Sequence, residues 1–168
     1  MLVSHPKLWD LDFPYRYTVE TIIKKGGKTI DKYLTPFGIR SVKFDKDKGF
    51  FLNNKHLKLK GMCLHQDAGC LGTAVPDRAY ERRLLILKEF GTNAIRCSHN
   101  PPSPEFLNYC DSIGFLVIDE AFDKWKSGYY EEFFDSSWQQ DISDMVIRDR
   151  NHPSVILWSI GNELAEAN

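Results

Sequence analysis

The sequence predicts an α/β protein whose larger part is the first half of a (β/α)8 barrel, preceded by the end of an antiparallel β-region. Three observations carry that expectation. The patterning changes near residue 55 from strand-and-turn to short apolar strands alternating with helical periodicity. At about 30 residues per βα unit, residues 57–168 hold about four units, whereas a closed barrel takes about 250 residues. All four expected strand ends are polar, as they are where barrel loops converge. An open doubly wound sheet also accommodates four strands, but no G-x-G-x-x-G or P-loop sequence opens any of the helices, so nucleotide binding has no support.

The first strands follow from period-two alternation. Tyr15 to Ile23 alternates, Gly26-Gly27 breaks the run, and Thr29 to Leu34 with Ile39 to Phe44 resume it. A small hairpin comes next, with Phe50-Phe51-Leu52 and Leu57-Lys58-Leu59 as strands and Asp47-Lys48-Gly49 and Asn53-Asn54 as turn signals. The expected division is an N-terminal β-region over 1–44 and the barrel portion over 45–168.

The barrel strands are expected at Leu57–Cys63, Ala94–Cys97, Phe115–Ile118 and Val155–Ser159. The first helix begins after Pro76-Asp77, places Tyr80, Leu84 and Leu87 on one face, and ends at Gly91. The second has Ser103 as N-cap with Pro104 at its first position and closes at Gly114. The third carries Trp138, Ile142, Met145 and Val146 at helical spacing and stops before Pro153.

Composition narrows the function classes. The 168 residues are 42% hydrophobic and 27% charged with a net charge of −1, which suits an ordinary folded chain and offers no basic surface for nucleic acid. No run approaches the ~20 apolar residues of a membrane span, and Met1-Leu2-Val3-Ser4-His5 is unlike a signal peptide. The expectation is a soluble chain without nucleic-acid or membrane partners, from a cytoplasmic or periplasmic parent. Cys63, Cys70, Cys97 and Cys110 lack metal-ribbon spacing, and Cys63, Cys97 and Cys110 sit among apolar residues as small buried hydrophobes would.

The strand ends supply the chemistry. They read His65-Gln66-Asp67, Ser98-His99-Asn100, Asp119-Glu120 and Asn162-Glu163. Taken singly, each is readily a capping or solvated loop residue; four in register point to a site. Carboxylates and imidazoles without a nucleophilic Ser or Cys motif, a phosphate loop or H-E-x-x-H suit acid–base work on an acetal. Glycoside hydrolysis needs one carboxylic acid to protonate the leaving oxygen and a second carboxylate on the other side of the sugar. Glu163, preceded by an amide side chain able to hydrogen-bond a sugar hydroxyl, is the candidate acid. His65, His99, Asp119 and Glu163 are expected to face one shared cleft.

The runs 93–102 (NAIRCSHNPP), 115–122 (FLVIDEAF) and 151–163 (NHPSVILWSIGNE) resemble glycoside hydrolase family 2, the β-galactosidase and β-glucuronidase family. Phe37-Gly38-Ile39-Arg40, Leu57-Lys58-Leu59-Lys60-Gly61, Leu8-Trp9-Asp10 and Pro14-Tyr15 extend the resemblance over nearly the whole chain. It implies the C-terminal strands of an immunoglobulin-like β-sandwich before the half barrel, and a retaining mechanism with two glutamates. Glu163 matches the acid/base and Asn162 the residue contacting the sugar 2-hydroxyl. His65 and His99 match histidines lining the sugar site, Asp67 lies beside the first, and Arg96 matches a charge partner of the catalytic carboxylates.

The family's nucleophile comes from a later strand, and no residue here is assigned to it. Asp119 and Glu120 are left between site-lining and structural roles, and Trp125 between a wall against a sugar face and a core residue. Asn54 stands where glycine is expected in the hairpin. The magnesium-dependent β-galactosidases carry a Glu and a His after the Asp-Glu-Ala run. Here the segment is Phe122-Asp123-Lys124-Trp125-Lys126, and Lys124 cannot ligate a cation, which argues against a magnesium requirement and leaves no cofactor expected. The resemblance implies a β-linked glycoside substrate, β-galactoside first, then β-glucuronide and β-mannoside. A non-catalytic carbohydrate-binding or complementation piece is the alternative, with the rest of the barrel or a homo-oligomer as partner.

Overall fold

The computed structural model describes residues 2–164. Two antiparallel strands, β1 (Tyr17–Lys25) and β2 (Lys28–Phe37), form a hairpin turned by Gly26-Gly27, both at positive φ. Three short strands follow, β3 (Val42–Asp45), β4 (Gly49–Leu52) and β5 (Lys55–His56), as a separate antiparallel sheet. β3 extends the Ile39–Phe44 alternation, yet it pairs with β4 and not with the first hairpin. The second strand of the small hairpin lies at Lys55–His56, ahead of the expected Leu57–Leu59. Asn53 and Asn54 both take positive φ in that tight turn, leaving two residues to pair. Leu57 and Leu59 instead pack against the buried Trp9, Phe50, Leu52, Ala94 and Leu116.

The remainder is βα-alternating. β6 (Gly61–His65), α1 (Asp77–Glu89), β7 (Ala94–Ser98), α2 (Pro104–Ile113), β8 (Leu116–Glu120), α3 (Glu131–Asp149) and β9 (Val155–Ser159) follow in order. The four strands form one parallel sheet in the order β6-β7-β8-β9. The first barrel strand therefore starts four residues later than expected and runs through His65, because only from Gly61 does the chain lie beside β7.

Alternation along β7 and β8 divides the sheet's two faces. Ile95, Cys97 and Val117 pack against Tyr80, Leu84, Phe106 and Leu107 of the helices in the main core. Each such apolar side chain contributes about 1.5–3 kcal/mol when fully buried. Ala94 and Leu116 face the other way and meet Trp9 and the β3–β5 sheet. That sheet closes the amino-terminal end and leaves the carboxyl ends to polar residues.

The helix caps follow local chemistry. The Ser103 hydroxyl accepts from the Phe106 amide at 3.2 Å, with Pro104 at the first helical position. Gly114 ends α2 at φ +85°, where a Cβ would collide with the Leu11 backbone, so glycine is required both by conformation and by space. Cys97 and Cys110 are buried as expected, but Cys63 is exposed, since β6 lies at the edge of the sheet.

Candidate active site

The site is built around a buried carboxylate at the end of β8. Glu120 has no exposed surface, and three neighbours aim donors at it. Arg96 of β7 donates from Nε at 2.9 Å and Nη2 at 2.7 Å to Oε2, and the Ser159 hydroxyl of β9 donates to the same oxygen at 2.7 Å. His99 Nδ1 donates to Oε1 at 2.6 Å. Burial pushes the Glu120 carboxyl upward, but the hydrogen bonds from Ser159, His99 and Arg96, with the Arg96 charge, outweigh it and hold the group below the usual carboxylate range. Glu120 thus ties three adjacent strands together at their carboxyl ends, and its bond to Nδ1 leaves His99 Nε2 free for a ligand.

Arg96 also carries the network toward the acid. Its Nη2 donates to Asn162 Oδ1 at 3.1 Å, while Asn162 Nδ2 donates to Asp123 Oδ1 at 3.0 Å. The amide is clamped on both sides and its orientation is set. His65 and His99 meet edge to face with ring centroids 5.2 Å apart, so the ends of β6 and β7 place two imidazoles together. Arg83 of α1 holds the loop after β6 by donating to the carbonyls of His65 and Asp67. The Asp67 side chain is exposed at the rim.

Glu163 follows Asn162, at φ +49°, a region non-glycine residues rarely occupy, and is exposed. Its Oε2 lies 3.1 Å from Lys124 Nζ, which is also 3.3 Å from Asp123 Oδ1. The hydrogen bond to Glu163, then that to Asp123, raises the Lys124 ammonium above its ordinary value. Trp125 braces this segment from behind. Its indole donates to the Ile160 carbonyl at 2.8 Å, and a Cβ on Gly161, at φ +155°, would stand 3.1 Å from the indole nitrogen and 2.8 Å from Leu164.

Asp119 is not in the cleft. It alternates with Glu120 onto the helix face of β8, fully buried beside Asp149 and Arg148 of α3 and near Cys97. The expectation that it shares a cleft with His65, His99 and Glu163 fails because neighbouring residues of a strand point to opposite faces. Its role is internal. The sequence reading also missed Ser159, Asp123 and Arg83. Ser159 pairs in register with Glu120, so its signal was period-two alternation carried across from β8.

Where two metal ligands would follow Asp-Glu-Ala, the Lys124 ammonium already bridges Asp123 and Glu163. Among the described residues no group of three His, Cys, Asp or Glu side chains is arranged to hold a metal ion.

Two family profiles together span almost the whole chain: glycosyl hydrolases family 2, TIM barrel domain, matches residues 42–168, and glycosyl hydrolases family 2 matches residues 1–40. The chain belongs to glycosyl hydrolase family 2. The parallel sheet is accordingly the first half of a family 2 barrel, and the N-terminal hairpin a segment of its immunoglobulin-like sandwich.

Among family 2 relatives, the chain is 51% identical over 170 residues to the β-galactosidase BoGH2A of Bacteroides ovatus, covering 99% of this chain and 20% of that protein. It is 34% identical over 173 residues to a β-glucuronidase of Bacteroides fragilis, covering 99% of this chain and 25% of that one. A crystal structure of a β-glycosidase from Bacteroides vulgatus superposes with a TM-score of 0.93 at 46% identity, over 97% of this chain and 22% of that one. The chain thus spans about a fifth to a quarter of the length of these relatives.

Proposed function

We propose that this chain supplies the proton-transfer side of a retaining β-glycosidase site, with Glu163 as general acid/base and β-galactosides as the first substrate class. The observation that carries the reading is the chain of contacts from Glu120 through Arg96 to Asn162, which fixes the residue next to Glu163 at the mouth of the two-histidine cleft. In this reading Asn162, His99, His65 and Asp67 bind the sugar. Arg96 and Glu120 orient them, and Trp125 holds the acid-bearing segment.

Glu163 protonates the glycosidic oxygen while a glutamate from a later barrel strand, outside this chain, attacks the anomeric carbon. Glu163 then takes a proton from the water that releases the sugar. Lys124 Nζ stands 3.1 Å from Glu163 Oε2, so this contact must open for the glycosidic oxygen to reach the carboxyl group. Glu120 is a poor nucleophile, because both of its oxygens are already engaged by four donor groups. The similarity to a β-galactosidase at 51% identity favours galactosides over glucuronides, for which a putative β-glucuronidase of Formosa agariphila is 44% identical and the β-glucuronidase of Bacteroides fragilis 34%.

The test is Glu163→Ala in a chain extended over the remaining barrel. A general acid matters most for a poor leaving group, so cleavage of a disaccharide should fall far more than formation of the glycosyl-enzyme from a dinitrophenyl galactoside. Azide, which attacks without base assistance, should restore turnover of the activated substrate. Equal losses on both substrates with no azide rescue would overturn the assignment.

A further inference from the structure

A line of alternating charge runs from Glu120 to Glu163. Glu120 accepts from Arg96, whose Nη2 also donates to Asn162 Oδ1 at 3.1 Å, and Asn162 Nδ2 donates to Asp123 Oδ1 at 3.0 Å. Lys124 Nζ stands 3.3 Å from that same Asp123 oxygen and 3.1 Å from Glu163 Oε2. Asp123, in the loop after β8, is the junction of this line, and the sugar-binding scheme gives it no part. It meets Asn162 twice, since its backbone carbonyl also accepts from the Asn162 backbone N–H at 2.8 Å. The side-chain hydrogen bond from Asn162 is the chief cause holding the Asp123 carboxyl below the usual carboxylate range, so the group is ionised and only accepts.

That junction decides what Asn162 presents to a ligand. The two flipped orientations of a primary amide have nearly the same shape, so packing alone does not choose between them. Here the partners choose. A guanidinium only donates and a carboxylate only accepts, so a flipped amide would turn its NH2 on Arg96 and its oxygen on Asp123 and lose both bonds. Arg96 alone is the weaker guide, because its Nη2 also serves Glu120 Oε2 at 2.7 Å. An amide side chain carries two hydrogens and two lone pairs. With one of each engaged, one N–H and one lone pair remain, the complement of a hydroxyl, which both accepts and donates. Resting on the reading of Asn162 as the contact to the sugar 2-hydroxyl, we propose that Asp123 is a positioning residue: it holds the Asn162 amide in the orientation that meets this hydroxyl, and so makes the site select sugars in which the 2-hydroxyl is free. Hydrogen bonds to that hydroxyl strengthen in the transition state, so the selection is expressed in the rate. The Asp123 side chain is 56% exposed, and its replacement disturbs no core packing.

The measurement is kcat/KM of the barrel-extended enzyme on dinitrophenyl β-galactoside and on its 2-deoxy counterpart, taken as a ratio. Loss of folded protein, or a change at Lys124 and Glu163, acts on both substrates alike and cancels. Asp123→Leu should lower the ratio about tenfold, the scale of one lost hydrogen bond to a charged group, and the loss should fall on the 2-hydroxy substrate. Asp123→Asn, which keeps an oxygen for Asn162 Nδ2, should hold most of the ratio. Asn162→Ala should lower it at least as far as Asp123→Leu, and combining the two should lower it no further. Equal effects of Asp123→Leu on both substrates, or a double variant falling below Asn162→Ala alone, would overturn the positioning role while Asn162 keeps its own. An unchanged ratio in Asn162→Ala would remove the 2-hydroxyl contact and the proposal with it. Neither result depends on azide rescue at Glu163.

Discussion

Asp119→Asn should raise the stability of this chain at neutral pH and flatten its pH dependence. Both oxygens of Asp119 are buried without a hydrogen-bond donor, next to the buried Asp149, whose own oxygens accept from Arg148 Nε and Nη2 at 2.7 Å each. Two carboxylates in that position repel, whereas a protonated Asp119 becomes a donor to Asp149. Burial, followed by the hydrogen bond to Asp149 and that group's charge, pushes the Asp119 carboxyl up from 3.8 to about 8. The sign follows from linkage. Below the ordinary value both folded and unfolded chains hold the proton; as pH rises from there, the unfolded chain releases it first and is favoured until the folded form also ionises near pH 8. The ~3 pH units up to neutrality, at about 1.4 kcal/mol each, set a ceiling of about 4 kcal/mol lost by pH 7. Asparagine donates the same hydrogen bond at every pH. After the cost of burying its amide, about half of that ceiling should survive as a gain. Urea titrations of both chains at pH 5, 6, 7 and 8 measure it, with the difference expected to widen as pH rises towards 8. An asparagine variant less stable at every pH, or an offset that does not change with pH, would refute a protonated Asp119.

Arg96→Ala should cost about 3–5 kcal/mol in the same titrations, because it leaves the buried Glu120 short of its cationic partner. Trp9→Phe keeps most of the apolar bulk but removes the indole donor to the Asp111 carbonyl at 2.8 Å, and should cost about 1–3 kcal/mol at constant m-value. The 168-residue chain alone should show no turnover of aryl β-galactosides, for want of a nucleophile about 5 Å from Glu163; hydrolysis that disappears in Glu163→Gln would place one within it. Chelator treatment of the barrel-extended enzyme should leave its rate unchanged, since the Lys124 ammonium occupies the space between Asp123 and Glu163.

Much of the barrel could be read from local signals that tertiary context did not override. Ser103-Pro104 and Gly114 bound α2 as their chemistry demands, and Val155–Ser159 is a strand over the expected residues. The errors fall where pairing decides. Nothing in Leu57-Lys58-Leu59 distinguishes a strand from a linker whose leucines plug the amino-terminal end, and only the partner at Ala94 sets where β6 begins. Asp119 and Glu120 look alike in sequence as adjacent carboxylates. A one-residue difference in phase sends one into the helix layer and the other to the site, and this required knowing which face of β8 meets α3. Lys124 was read as a residue unable to hold a metal, and its contact with Glu163 arises only because the loops after β8 and β9 lie side by side.

The N-terminal segment is stitched to the far end of the chain. Trp9 donates to the carbonyl of Asp111, and Arg40 to the carbonyls of Pro153 and Val155, the latter opening the strand that leads to Glu163. These partners lie 102, 113 and 115 residues apart. On the ribosome, at about 5–20 residues per second, Trp9 would wait several seconds for Asp111, and Arg40 a similar time for β9. Until then the indole, fully buried in the end, has at most Phe50, Leu52 and Ala94 of its buried neighbours and lacks Leu116 and its hydrogen-bond acceptor. The final seating of the N-terminal segment is therefore a late event in biogenesis, set by long-range closure and not by local propensity. A pause in translation before residue 155 would prolong this unseated stage, and synonymous codon changes there should alter the yield of folded protein without changing a single residue.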